Sequence, residues 1–218
     1  MHFQFLIEDI STEKLIRILM TKIQQNDIDI TFDCKSFKGI GGFTKKNTIK
    51  ETKTGKLLND LATYLRGFNK SLQNISAAVF VVLDNDDNDP EQFKSELELV
   101  AIQNGINIDH VFCLAVEEME AWLLGDHNAI ASAYPHYKSQ ALTDYQQDSI
   151  CGTWETLADV VYPGGCIKLK KSCTTYMELG AVKCEWAEKI GEHMTIESNV
   201  SPSFNYFITE VQNRITAA

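Results

Sequence analysis

The sequence predicts an α/β protein, a mostly parallel sheet flanked by helices, with an α-helical C-terminal region. Three observations predict it. Strand-like and helix-like segments alternate four times over residues 1–126. The run AAVFVVL, Ala77 to Leu83, is apolar at every position, as in a strand covered on both faces. Residues 127–218 then carry apolar side chains at helical spacing. The expected division is an α/β domain over 1–126 and a helical region over 127–218 packed on it.

FQFLIE, residues 3 to 8, reads as the first strand, and STEKLIRILMTKI from Ser11 as a helix with Leu15, Ile18, Leu19 and Ile23 on one face. IDITF, residues 28 to 32, alternates as a second strand. A Gly- and Lys-rich loop follows from Lys35 to Gly55, and Leu57, Leu58, Leu61, Leu65, Phe68 and Leu72 repeat as a helix face. After AAVFVVL, a helix opens at Pro90 and stops near Asn104-Gly105, where glycine suits a C-cap. VFCLAV, residues 111 to 116, is the fourth strand and leads into EEMEAWLLGD. In the remainder TWETLADVVYP, TTYMELGAVKCEWAEKIGEHM and SFNYFITEVQNRI read as helices, with PGGCIKLKKS between them as a basic loop.

The chain has 218 residues and a net charge of −10, so a surface coated with positive charge is excluded. The charge is unevenly spread. From Cys34 to Lys70 there are nine basic and two acidic residues, whereas Asp84 to Asp126 holds twelve acidic residues and one lysine. One segment suits phosphates and the other cations. Two solvated faces would explain the same charges. No apolar run reaches the roughly 20 residues of a membrane span, and MHFQFLIED lacks the features of a signal peptide. A cytoplasmic protein without membrane attachment is expected. Six cysteines without a CxxC pair suit reduced structural thiols. Zinc on Cys166, Cys173, Cys184 and His193 would require spacings unlike a finger or ribbon.

The acidic residues fall at strand ends. Glu8 follows the first strand, Asp84, Asp86 and Asp87 follow the third, and Glu117, Glu118 and Glu120 follow the fourth. In a parallel sheet these ends share one edge, where ligands bind. Crowded carboxylates repel unless water or a cation intervenes, so each group is either solvated or a site for a hard divalent cation. Such a cation can hold a phosphate and activate a water or hydroxyl. A calcium loop is excluded, because Asp89 and Ser95 stand where it needs glycine and glutamate.

IEDISTEKLI resembles the glutamate motif of Toprim domains, and LDNDD resembles their DxD motif. Over most of its length the chain is similar to a bacterial group of Toprim-like proteins, related to OLD-family nucleases, through EMEAWLLGD, SPSF at residues 201 to 204 and the lysine of GAVKCEWA. The resemblance implies a Toprim-like sheet in which Glu8, Asp84 and Asp86 are catalytic and bind Mg2+ or Mn2+, with Glu118 or Glu120 supporting a second ion. It implies magnesium-dependent phosphodiester chemistry on nucleic acid, a Toprim-type nuclease, with a role and a protein partner in defence against mobile DNA. Glu8 would ligate the metal or act as general base, and Lys45, Lys46 and Lys183 would face phosphates. Lys183 shares its helix with Lys189, so an ordinary surface charge is the plainer reading. The chain departs from the family at Asp9, where many Toprim motifs have glycine; Asp9 joins the metal cluster or marks a site that has lost its reaction.

Two other readings fit the same residues. One is a catalytically silent Toprim-like module that binds nucleic acid or a protein. The other is a phosphoryl-accepting receiver-like domain, which also has an acidic pair after its first strand. Receivers place Ser or Thr where this chain has Glu117. No tyrosine sits in a context that marks it as a topoisomerase nucleophile.

Overall fold

The computed structural model describes residues 1–26, 29–41, 56–149 and 152–217. Four strands, β1 (His2–Ile7), β2 (Thr31–Ser36), β3 (Ala77–Asp84) and β4 (Asp109–Ala115), form one all-parallel sheet in the order β2-β1-β3-β4. The chain passes from β1 outward to β2, then returns past β1 to β3, so the strand order reverses between β1 and β3. Right-handed crossovers put the connecting helices of the two directions on opposite faces. Accordingly α1 (Ile10–Asn26) packs with Phe3, Phe5, Ile7, Phe80 and Val82. The other face, Leu6, Val79, Val81, Leu83 and Phe112, packs under α2 (Leu57–Ser71) and α3 (Pro90–Gln103). β3 is buried on both faces, which is why its sequence shows no alternation.

The rest of the chain is helical: α4 (Glu120–Leu124), α5 (His127–Ala133), a 3-10 turn at Ser139–Leu142, α6 (Thr153–Val161), α7 (Gly165–Ser172), α8 (Tyr176–His193) and α9 (Pro202–Ala217). These helices share the core of the α1 face. Phe207 of α9 lies 6.2 Å from Phe5 and 6.1 Å from Phe80 between ring centroids, and it stacks on Trp122 of α4 at 5.2 Å. Two reciprocal junctions set the helix positions. Thr175 and Glu178 form a capping box at the start of α8. Between α4 and α9, Asn199 Nδ2 donates to Trp122 O at 2.7 Å, Ser201 N to Asn199 Oδ1 at 2.8 Å and Trp122 Nε1 to Ser203 Oγ at 2.9 Å. A Cβ on Gly125 would stand 2.1 Å from Asn199 Oδ1, so AWLLG and SPS are two halves of one joint.

Two expectations are corrected. The second strand lies at 31–36 rather than 28–32, because β2 is an edge strand whose alternate residues Asp33 and Lys35 point to solvent; charge there does not end the strand. PGGCIKLKKS is not a loop: Gly164 adopts φ 96, and α7 then buries Cys166 and Leu169 at helical spacing while its lysines face outward. Among the described residues no helix is long and apolar enough to cross a membrane.

Candidate acidic site at the strand-order reversal

Glu8 is the first residue beyond β1. Its amide continues the ladder to Val82 O at 3.1 Å, and the chain then turns into α1. Asp9 makes that turn: its Oδ1 accepts from Thr12 N at 2.9 Å and Ser11 Oγ at 2.6 Å, the bonding of a helix N-cap. The departure from glycine at this position therefore has a structural role, while its charge stays close enough to act on Glu8, Asp84 and Glu120. The pattern Asp9-Ile10-Ser11-Thr12 was the available signal for that cap.

Across the reversal, the Asp84 amide donates to Glu8 Oε2 at 3.1 Å. The Asp84 side chain turns toward the start of α4, where Oδ1 accepts from Met119 N at 2.9 Å, and the residue is 9% exposed. Asp86 and Glu117 adopt φ 47 and φ 61 and are joined by Asp86 N to Glu117 O at 2.9 Å, which fastens the exit of β3 to the exit of β4. That turn leaves Asp86 and Asp87 exposed at the rim. Glu117 is committed elsewhere: Gly152 N and Thr153 N donate to its two oxygens at 2.5 and 2.8 Å, holding the start of α6.

Glu118 and Glu120 approach from the other side. Lys183 of α8 donates to Glu118 Oε1 at 3.0 Å and Glu120 Oε2 at 3.4 Å, with only 18% of its side chain exposed. Lys183 is not an ordinary surface charge. Glu120 is 1% exposed, and its Oε1 has no hydrogen-bond partner; buried Asn85 Oδ1 lacks one too.

The electrostatics follow from this crowding. Burial pushes Glu8 up to about 7; the Asp84 amide opposes the rise, and Asp9 and Asp86 add to it. Asp84 is raised well above the ordinary carboxylate range by burial first, then by Glu8, Asp9 and Glu120. Glu118 rises to about 7 through burial and Glu120, against the pull of Lys183. Glu120 and Asp86 are raised as well, burial again being the largest cause. For Lys183 burial acts downward, but Glu120, Glu118 and Asp84 outweigh it and raise the ammonium.

Glu8 and Asp84 are thus brought together, Asp86 and Asp87 lie at the rim, and Glu118 and Glu120 are gathered by Lys183. Lys45 and Lys46 lie outside the described residues. The residues flanking them are held beside Glu8: Gly39 N donates to Glu8 O at 3.0 Å and Leu57 N to Gly39 O at 3.1 Å, so Lys38 and Lys56 sit near the crevice.

Among the described residues no three His, Cys, Asp or Glu side chains converge as a ready-made metal site. The donor set nevertheless suits a hard divalent ion in kind. Its donors are all oxygens, and among them the buried Glu120 Oε1 lacks a hydrogen-bond partner. Glu8 and Glu120 both act on Asp84 and Asp86 acts on Glu8, and Lys183 is the one cation in ion pairs with Glu118 and Glu120 among the described residues.

Fold and site define a parallel α/β protein with an acidic crevice at its topological switch point. The family described as "Domain of unknown function (DUF4276)" matches residues 7–212, and the chain belongs to it. No curated protein matches the chain. No solved structure matches it either.

Proposed function

We propose that the chain performs magnesium- or manganese-dependent phosphodiester chemistry on nucleic acid, hydrolysis of the backbone in the manner of a Toprim-type nuclease. The observation that carries this reading is the contact of Glu8 with Asp84 across the β1/β3 reversal, beside Glu118 and Glu120, with which Lys183 is the one ammonium in ion pairs among the described residues. Glu8, Asp84 and Asp86 would hold the metal, with Glu118 and Glu120 behind them. When bound, the ion supplies charge for a phosphoryl oxygen and lowers the pKa of a water. Glu8, held by the Asp84 and Ile40 amides, would ligate the metal or act as general base toward an attacking water. Met119 N fixes Asp84, so the carboxylate keeps one orientation. Lys38 and Lys56, with Lys45 and Lys46 between them, supply positive charge for the substrate backbone, and Lys183 offers a donor to a phosphate entering beside Glu118. A role with a protein partner in defence against mobile DNA rests on family resemblance alone.

Two observations favour a silent binding module: Lys183 already pairs with Glu118 and Glu120, and among the described residues no three ligands are pre-assembled. A receiver is disfavoured, because its phosphoacceptor must be open to a donor and Asp84 is 9% exposed. The deciding experiment incubates the chain and its Asp84→Asn variant with single-stranded and duplex DNA and RNA in magnesium or manganese. Cleavage by the wild type alone supports hydrolysis; metal and nucleic-acid binding without cleavage supports the silent module.

A further inference from the structure

Trp154, the second residue of α6, is half-buried, whereas Trp122 and Trp186 are 0% and 2% exposed. It stands where the acidic crevice meets a basic helix. Its neighbour Thr153 donates through Oγ1 to Glu118 Oε2 at 3.4 Å. Lys183 Nζ, bound to Glu118, lies 5.8 Å from the Trp154 ring centroid, and Lys170 Nζ lies 4.9 Å from it. Lys168, Lys170 and Lys171 are all exposed on α7, a helix without an acidic residue. The grip of Glu117 on Gly152 N and Thr153 N fixes the first turn of α6 and with it the base of the tryptophan.

We propose that Trp154 is a stacking platform for a base of single-stranded nucleic acid, whose phosphates run from the acidic crevice along the lysines of α7. The inference deepens the proposed function and rests on its assignment of nucleic acid as substrate. A half-buried ring beside Lys183 and the Glu155-paired Lys170 matches a strand in both its parts, a partly open π face for the base and positive charge for the backbone. The Lys183 ammonium lies near both the ring and the Glu118 carboxylate, so the phosphate of a stacked base would find a donor at the crevice. Duplex bases are already stacked on one another and cannot use the ring.

All three tryptophans emit, so the Trp154 contribution is read as the difference in emission between the wild type and Trp154→Phe. Titration with a ten-nucleotide single strand, with calcium replacing magnesium, should quench it. By anisotropy of a labelled strand, Trp154→Ala should bind about ten-fold more weakly, Trp154→Phe should recover most of the loss, and a duplex of the same sequence should bind more weakly than the strand. Lys170→Ala with Lys171→Ala should reduce the salt slope by about 1 to 2. Absence of quenching, wild-type affinity in Trp154→Ala, equal affinity for duplex, or an unchanged salt slope would each overturn the proposal. Cleavage is scored separately in magnesium: a strand that quenches Trp154 but is not cut keeps the platform and removes the hydrolase, and cutting without quenching does the reverse.

Discussion

Lys183 reaches from the middle of α8 to two glutamates on the opposite wall of the crevice, Glu118 at 3.0 Å and Glu120 at 3.4 Å, and so supplies the internal counter-charge of the site. Removing one partner of a buried ion pair leaves charge stranded. Lys183→Met should therefore destabilise the metal-free chain by about 3 kcal/mol at pH 8. The cost should shrink at pH 5.5, where Glu118, raised to about 7, is protonated. Denaturant melts of both proteins at the two pH values check this; an equal penalty at both would place the role of Lys183 in packing alone.

The same crowding sets a pH profile. Glu8 and Glu118 have folded-state values of about 7 against an ordinary 4.5, so between those values the folded chain holds more protons than the unfolded one. Stability then falls as pH rises through that window. Melting of the metal-free chain should be higher at pH 5.5 than at pH 8, by about 5 °C or more. A melting temperature that rises from pH 5.5 to pH 8 would mean that these carboxyls are solvated.

The joint between α4 and α9 has a sharper signature. Gly125→Ala places a methyl group 2.1 Å from Asn199 Oδ1 and 3.0 Å from Ser201 N. The displaced Asn199 would give up its bonds to Trp122 O and Ser201 N, with a loss of about 2 kcal/mol. Asn199→Ala should cost a similar amount. In the double variant the two losses should not add, since they break one network. Additive losses in urea melts would separate the two residues.

The sheet was legible because its signals are local. Ala77 to Leu83 is apolar throughout, Pro90 opens α3 behind the Asp89 cap, and Gly105 closes it. The edge strand was less so, since solvent on one side lets Asp33 and Lys35 belong to it. α7 was hidden by two glycines and three lysines, although Cys166 and Leu169 were spaced for a buried face. Within the site, strand ends disclosed Glu8, Asp84 and the Glu118–Glu120 pair. The place of Lys183 depends on how α8 packs across α1 and α4, a long-range arrangement that no local pattern encodes. At Asp9 the cap is encoded locally by Ser11 and Thr12, which share its carboxylate, while its place beside Glu8 and Asp84 follows from the turn after β1.

The central claim is that the carboxylates at the β1/β3 reversal form a divalent-cation site, and melting temperature with and without millimolar magnesium or manganese tests it most directly. Binding to the folded chain alone should raise the melting temperature. Asp84→Asn keeps an oxygen for Met119 N while removing one negative charge from a buried cluster, so the metal-free variant should be as stable as the wild type or more so. It should lose most of the metal-induced rise. If neither ion shifts the melting of the wild type and Asp84→Asn behaves identically, the acidic crevice is not a metal site.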